Sequence, residues 1–173
     1  MSINIRRETP ADIEAIFRIE AAAFEGEAHA ELVNLLRADD ALLLSHVAVL
    51  NDEIVGHAAY SRLTVTDGDH VQFFPALGPI GVEPRFQGVG IGSALVRAGL
   101  GAMRDMGHGL LFLVGSPGYY PRFGFQPALP LGFSSDYVKP GGPHEHFMVA
   151  VLDERLPDRV RGHVRFHPAF DQV

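Results

Sequence analysis

The chain has 173 residues, of which 47% are hydrophobic and 20% are charged, a balance that predicts a single globular domain over 1–173 with a packed core. Its formal net charge of −7 argues against nucleic acid as a partner, because affinity for phosphate backbones depends on cationic side chains. The absence of cysteine excludes disulfides and cysteine nucleophiles, and the absence of a long apolar run argues against a membrane partner, so we expect a cytoplasmic protein.

The N-terminal part predicts a short strand followed by two helices. The strand covers residues 3–7, and Thr9 and Asp12 then form a capping-box-like start for the first helix. A second, short helix is predicted around residues 30–37. Apolar residues recur at helical spacing in the first helix and give it one buried face: Ile13, Ile16, Phe17, Ala21 and Phe24.

Three longer apolar segments predict an antiparallel meander. They cover residues 41–50, 54–64 and 71–82, and turn residues separate them at 51–52 and 67–68. Proline and glycine inside the third segment disfavour a regular central strand, so we expect this strand to bend at residues 78–81.

A strand, helix and strand follow in order, which predicts a parallel pair of strands. The third strand leads into a helix that opens at residues 88–92, and the apolar run 110–114 forms the next strand. Another strand is expected at 147–152, after a long surface loop over 129–143. The predicted core spans about 3–152, and the arginine-rich remainder, 153–173, is expected to be a solvated tail.

The glycine-rich turn at residues 87–93 is an expected anion site. Backbone N–H groups at a helix N-terminus lack intrahelical partners, and glycine removes the Cβ atoms that would keep a diphosphate away. A P-loop is excluded because no lysine accompanies the turn, and a dinucleotide-binding turn would need glycine or alanine where Ser93 stands. The ligand is therefore expected to be a pyrophosphate.

The pattern QxxGxG, formed by Gln87, Gly90 and Gly92 within the stretch GPIGVEPRFQGVGIGSALV, resembles the GNAT superfamily of N-acetyltransferases. The resemblance implies a mixed α+β fold: a mostly antiparallel twisted sheet flanked by helices, with one parallel strand pair splayed to bind acetyl-coenzyme A. It implies a cofactor site made of these residues: Ile80, Gly81, Val82, Gln87, Gly88, Val89, Gly90, Ile91, Gly92, Ser93, Tyr120 and Phe123.

The segment YYPRFGF at 119–125 resembles the family's stretch in which a tyrosine precedes a Gly-Phe pair by four residues. Tyr120 is in register with Gly124. In the family this hydroxyl protonates the departing thiolate of the coenzyme, so Tyr120 is the expected catalytic residue. Tyr119 is expected to be a core aromatic whose hydroxyl reaches the surface.

The resemblance further implies that a neutral primary amine attacks the thioester directly in a ternary complex, without an acyl-enzyme. A backbone amide near Ile80 or Val82 would polarise the thioester oxygen. The third strand carries no Asp or Glu between residues 71 and 82, so the general base stays open. The candidates are Glu25, Glu27, His57, His70 and a water-relayed transfer.

No metal is expected. His144 and His146 share one face of an incipient strand, but two ligands without a third make a poor site. His163 and His167 are spaced as on one helical turn, yet they lack an HExxH pattern. A Schiff-base mechanism is disfavoured as well, because Lys139, the single lysine, lies in a turn-rich stretch.

The acceptor is expected to be an amine on a small molecule or a protein, held by loops at 24–40 and 129–146. Neither its identity nor the acyl chain preference follows from the sequence. Dimers are frequent in the family that the chain resembles, so a homodimer is possible. The alternative function is a non-catalytic acyl-coenzyme A sensor or protein-interaction module on the same fold, because the third strand lacks a carboxylate.

Overall fold

The computed structural model describes residues 2–173 and divides them into two compact units. Unit 1 contains the chain up to Ser61 together with Leu77–Gly101 and Pro168–Val173. Unit 2 contains Arg62–Ala76 and Ala102–His167. A single domain over the whole chain remains a prediction.

The helices and strands of the first 105 residues follow the predicted order. The Thr9 amide donates to Asp12 Oδ2 over 2.7 Å, which is half of the predicted capping box and marks the start of the first helix. The observed elements are β1 Asn4–Arg7, α1 Ile13–Ala23, α2 Ala28–Ala38, β2 Leu42–Leu50, β3 Glu53–Asp67, β4 His70–Val82 and α3 Ile91–Asp105.

The remaining strands are shorter, and short 3-10 helices separate several of them. The strands are β5 Leu110–Val114, β6 Phe125–Pro127, β7 Phe133–Ser135, β8 Phe147–Val151 and β9 Gly162–Arg165. The 3-10 helices in this part are Tyr120–Phe123, Leu129–Leu131 and Pro168–Gln172.

Within residues 2–173, nine strands form one mixed sheet. Hydrogen-bonded neighbours follow the order β1-β2-β3-β4-β5-β8-β6, and β9 bonds to β3 and β7. The pairs β1/β2 and β2/β3 are antiparallel, whereas β4 and β5 are parallel with Ala76 opposite Phe112. The predicted mixed α+β fold with a parallel pair at β4 and β5 is thus confirmed, and β7 and β9 form a second parallel pair.

Each unit has its own apolar core. In unit 1, Ile16 of α1 and Val33 of α2 pack on Val47 and Ala59 of the sheet. Of the predicted apolar face of α1, Ile16 is confirmed as buried, whereas Phe24 is exposed, and the buried Ile19 was not part of the prediction. In unit 2, the Phe112 ring is surrounded by other aromatic rings, namely Phe74, Phe133 and Phe147.

Two sequence-based expectations for the C-terminal part are wrong. The predicted surface loop over 129–143 contains β7, and the predicted solvated tail contains β9, whose Val164 is fully buried. The arginines of that segment are exposed as expected, but the strand between them pairs with β3 and β7. Alternate residues of a strand face opposite ways, so arginines on one face do not exclude a buried valine on the other.

Among the residues that the structure describes, no helix has the length and apolar character required to cross a bilayer.

Candidate active site

The end of β4 and the segment after it hold the first group of predicted cofactor residues, all in unit 1. Gly78 adopts a φ of +146°, a conformation that glycine reaches more easily than other residues. Ile80 and Val82 are half-buried, whereas Gly81 between them is buried. The backbone of this strand end packs against the C-terminal part of α1, because a Cβ on Gly81 would lie 3.2 Å from Cβ of Ala23.

The glycine-rich turn connects a short 3-10 helix to α3 and is solvent-exposed over residues 87–90. Gly88 and Gly90 have φ values of +76° and +95°, and a Cβ on either would meet no atom within 4 Å. The Gln87 side-chain amide donates to the Val82 carbonyl over 3.0 Å, which ties the turn to the end of β4. The open, left-handed glycines at the start of α3 fit the predicted anion site.

The first hydrogen bond of α3 runs from the Ala94 amide to the Gly90 carbonyl over 3.0 Å. The amide groups on the N-terminal side of Ala94 therefore come before the first regular hydrogen bond of α3. Ile91 is fully buried, so its side chain belongs to the core and only its backbone faces the turn. The Ile91 side chain is therefore not part of the exposed surface of the turn.

Tyr120 and Phe123, the remaining predicted cofactor residues, begin and end one 3-10 helix of unit 2. The Tyr120 ring lies 5.0 Å from the Tyr119 ring and 5.8 Å from the Phe125 ring, measured between centroids. Burial raises the pKa of Tyr120 to about 12, with a further contribution from Tyr119. Its phenol therefore stays protonated far above neutral pH.

Three of the proposed general bases are exposed and one is buried. Glu25 and Glu27 lie in the loop between α1 and α2, and His70 lies at the first position of β4. His57 of β3, in contrast, has no exposed surface. Burial thus distinguishes His57 from the three exposed candidates.

His57 is paired with Glu20, a residue that the sequence analysis did not single out. His57 Nδ1 lies 2.6 Å from Glu20 Oε1, and both side chains are fully buried. Glu20 lies on the buried stripe of α1, four residues after Ile16. Residues four apart lie on the same face of a helix, so an acidic residue four positions after a core residue is the sequence signal that could have identified Glu20 as buried.

The second oxygen of Glu20 has no hydrogen-bond partner among the described residues. This atom, Oε2, is buried, and a Cβ built on Gly81 would lie 2.7 Å from it. An unsatisfied buried polar group costs about 1–3 kcal/mol, and more if it is charged. Glycine at position 81 is required for the carboxylate to fit there.

On its other side His57 continues into a chain of hydrogen bonds. His57 Nε2 lies 2.9 Å from Oγ of Ser45, and this hydroxyl lies 2.5 Å from Oε2 of Glu8. Arg37 of α2 donates from Nε and Nη2 to the two oxygens of Glu8, each over 3.0 Å. Five polar side chains are therefore connected, and they come from β2, β3, α1, α2 and the segment after β1.

The charge of Glu8 determines the direction of these hydrogen bonds. Burial by itself would raise the pKa of Glu8, but the hydrogen bonds from Arg37 and Ser45 outweigh burial and lower it. An ionised carboxylate only accepts, so Ser45 donates to Glu8 and must accept from His57. In this arrangement His57 Nε2 is therefore the donor to Ser45 Oγ, and Nδ1 is the atom that faces Glu20.

The remaining histidines do not form a metal site in the described part of the chain, where no group of three or more His, Asp or Glu side chains is placed to hold a metal ion. The Nδ1 atom of His146 lies 3.0 Å from the Gly115 carbonyl. His163 lies in strand β9 and does not share a helical turn with His167.

Known proteins share the sequence and fold of this chain. The family model of the acetyltransferase (GNAT) domain matches residues 4–128. YhbS of Escherichia coli (strain K12), named an uncharacterized N-acetyltransferase, is 30% identical over 169 residues, which cover 97% of this chain and 98% of YhbS.

Two solved structures resemble the fold closely. The crystal structure of YhbS from Escherichia coli in complex with CoA has a TM-score of 0.88 at 30% identity and covers 98% of this chain and 92% of that chain. A GNAT family acetyltransferase from Brucella melitensis in complex with acetyl-CoA has a TM-score of 0.79 at 34% identity, covering 98% and 99%. With a domain match over more than half of its length and such relatives across nearly all of it, the chain belongs to the GNAT superfamily of N-acetyltransferases.

Proposed function

We propose that this protein transfers the acetyl group of acetyl-CoA to a primary amine by direct attack in a ternary complex. The observation that carries the proposal is the exposed turn of left-handed glycines at the N-terminus of α3, in a chain whose relatives include structures with CoA and acetyl-CoA. Such a turn suits a pyrophosphate, because main-chain N–H groups and the helix dipole both favour an anion there.

The end of β4 is proposed to hold the pantetheine arm. Backbone groups of Ile80 and Val82 would pair with the arm as a neighbouring strand does, and an amide there would polarise the thioester oxygen. The absence of cysteine agrees with direct attack, since a thiol nucleophile is not available to form an acyl-enzyme.

Tyr120 is proposed to assist departure of the coenzyme thiolate. With a pKa of about 12, its phenol is protonated at every working pH and offers a hydrogen-bond donor to the sulfur as negative charge develops. An ordinary thiol has a pKa of about 8.5, so full proton transfer from this phenol is uphill. The raised pKa therefore favours hydrogen-bond donation while the C–S bond breaks.

The acceptor is proposed to be a primary amine of a small molecule or a protein, and the protein is proposed to work in the cytoplasm. The experiment is a thiol-release assay with acetyl-CoA and a panel of primary amines that includes polyamines, amino sugars and peptides with a free N-terminus. Because the chain has no cysteine, a thiol reagent reports only the CoA released.

Amine-dependent thiol release, matched by an equal amount of acetylated amine in mass spectrometry, would support the proposal. Acetyl-CoA binding without amine-dependent release from any member of the panel would contradict it. That second result would favour the sensor function instead.

A further inference from the structure

A continuous line of hydrogen bonds crosses unit 1 from Glu20, which packs against Gly81 of β4, to the Glu8–Arg37 ion pair. Its members, in order from β4, are Glu20, His57, Ser45 and Glu8. Every link between side chains is 2.9 Å or shorter. Each member other than Ser45 has a titratable group, and the Ser45 hydroxyl can donate and accept at the same time.

The inner end of this line has an unused hydrogen-bonding position. Glu20 Oε2 is buried, has no partner among residues 2–173, and packs against the backbone of Gly81. Buried polar atoms in native proteins nearly always have partners, so a network with a purely structural role would not be expected to leave this oxygen bare. Gly81 lies between Ile80 and Val82, the residues proposed to carry the thioester arm.

The outer end of the line reaches solvent. Glu8 and Ser45 line an open cleft of about 280 Å³, together with Arg7, Arg37 and Asp40. A proton that arrives at Glu8 can therefore leave to water there, and the Arg37 guanidinium favours the charged form of Glu8 afterwards. The two ends of the line thus differ: one faces the strand of the proposed acyl transfer and the other faces solvent.

We propose that Glu20 is the general base of the acetyl transfer and that His57, Ser45 and Glu8 relay the proton to solvent. This proposal rests on the proposed function. As the amine N–H bond breaks, the proton passes through one water molecule and an O–H bond forms at the buried Glu20 Oε2. His57 passes its Nε2 proton to Ser45, Ser45 passes its own proton to Glu8, and Glu8 releases one proton to water. One proton enters and one leaves.

The same geometry speaks against Ser45 as a nucleophile. Its Oγ contacts His57 Nε2, and Nδ1 contacts Glu20, which is the atom pattern of a Ser–His–carboxylate triad. In this protein, however, the hydroxyl proton is already directed at the Glu8 carboxylate. Because His57 Nε2 donates to this hydroxyl, it cannot also accept the proton of Ser45 during an attack, so proton transfer fits the arrangement better.

The decisive variant is Glu20→Gln. Its side chain has the shape of glutamate, and its amide can donate to Nδ1 of the neutral His57, so the fold and acetyl-CoA affinity should be kept. With the base removed, only amine that is already neutral reacts. We expect kcat/KM to fall by about 10²- to 10⁴-fold at pH 7 and to rise about tenfold per pH unit where the wild-type profile is flat.

Glu14→Gln is the matched control, because Glu14 is an exposed acid on the same helix. Other titratable groups around the pair must be included in the analysis of the profile. His29 of α2 and His46 of β2 both have their pKa lowered, chiefly by burial, while Arg7 and Arg37 add fixed positive charge.

Ser45→Ala tests the relay separately from the base. It removes the link to Glu8 but leaves the Glu20–His57 pair in place, so we expect a smaller loss of kcat than for Glu20→Gln, with an unchanged KM for acetyl-CoA. Ser61→Ala is its control, since Ser61 is a buried serine of the same sheet whose hydroxyl has no partner among the described residues.

A measurement without substrate completes the test. In nitrogen-15 NMR spectra of the free protein at the pH of the assay, assigned with His57→Gln, Nε2 of His57 should carry a proton, because this atom donates to Ser45 in the relay. An unprotonated Nε2, or a Glu20→Gln profile parallel to that of the wild type, would overturn the relay. If wild-type protein releases no CoA with any amine, the proposed function itself fails, which is a distinguishable result.

Discussion

Glu20 Oε1 lies 2.6 Å from His57 Nδ1, and neither side chain has any exposed surface. A carboxylate and an imidazole at this distance in a buried site form a strong hydrogen bond that couples the two side chains. The pair occupies the inner face of unit 1 against β4. The pair therefore lies next to the end of β4 that is proposed to bind the thioester arm.

Substituting Gly81 should test how tightly the carboxylate is packed. A Cβ at this position would lie 2.7 Å from Glu20 Oε2 and 3.1 Å from its carboxyl carbon, so Gly81→Ala must displace the carboxylate. We expect a loss of about 1–3 kcal/mol in the free energy of unfolding, measured by urea denaturation.

Gly101→Ala is the control for this substitution. A Cβ there would meet no atom within 4 Å, and Gly101 lies inside α3, so the change should leave stability equal or raise it by about 0.5–1 kcal/mol. Equal stability of the wild type and the Gly81→Ala variant would show that Glu20 is not held against Gly81.

The order of helices and strands up to β5 could be predicted from the sequence, but the buried Glu20–His57 pair could not. The helix start at Thr9, the strands β2 to β5 and the parallel pair follow from local patterns such as capping residues and apolar periodicity. Strands β7 and β9 have only three and four residues, and their pairing partners are distant in sequence. Local preference is too weak to define such strands.

The Glu20–His57 pair was missed for a related reason. A glutamate within a helix is usually solvated, and only tertiary packing brings it against a histidine 37 residues later. His57 was one of several equal candidates because burial cannot be read from one alternating segment. The glycine-rich turn, in contrast, is a local motif, so it could be proposed from the sequence alone.

Crowding the turn should weaken acetyl-CoA binding. Gly90 has a φ of +95° and open space in front of its Cα, so the Gly90→Val side chain would both strain the turn and block the backbone donors. We expect the dissociation constant to rise at least about 10-fold in fluorescence or calorimetric titration, since each 1.4 kcal/mol of lost contact is about tenfold.

Gly107→Val is the control that distinguishes backbone strain from blocking of the backbone donors. Gly107 has a φ of +84° and equally open surroundings, but it follows the C-terminal end of α3. The two variants should lose similar stability, while only Gly90→Val loses affinity. Equal affinities of both variants would remove the turn from the cofactor site.

Removing the Tyr120 hydroxyl should lower turnover without changing cofactor affinity. Tyr120→Phe keeps the ring that packs near Tyr119 and Phe125 but loses the donor. We expect kcat to fall by about 10²- to 10⁴-fold. Because the pKa is raised to about 12, ionisation of this phenol should cause no basic limb in the wild-type profile below about pH 10.

Tyr119→Phe is the neighbouring control, and its kcat should stay within about twofold of the wild type. An unchanged kcat in the Tyr120→Phe variant would exclude Tyr120 from the reaction. A basic limb near pH 9 that disappears only in that variant would show instead that the phenol ionises far below its expected pKa.

The contribution of Asp12 to the free energy of unfolding should decrease at acidic pH. Hydrogen bonds from Arg6, together with those from the Thr9 backbone and hydroxyl, lower its pKa to about 2. A depressed carboxyl pKa stabilises the fold above the unfolded-state value near pH 4, and this stabilisation is lost as the pH falls from about 4 to 2. Asp12→Asn should therefore cost about 1–2 kcal/mol at pH 7 and almost nothing near pH 2.

Urea denaturation across this pH range measures the effect, with the exposed Asp105→Asn as control. A difference between wild type and Asp12→Asn that stays constant down to pH 2 would mean that the helix start depends on shape and not on the charge of Asp12.

The most direct test of the central claim is a calorimetric titration that compares acetyl-CoA with S-acetylpantetheine, which has the thioester arm but no pyrophosphate. If backbone donors at residues 87–93 bind the pyrophosphate, acetyl-CoA should bind at least about 100-fold more tightly, a difference of about 2.7 kcal/mol. Equal affinity for the two ligands, or no detectable binding of acetyl-CoA, would contradict the account.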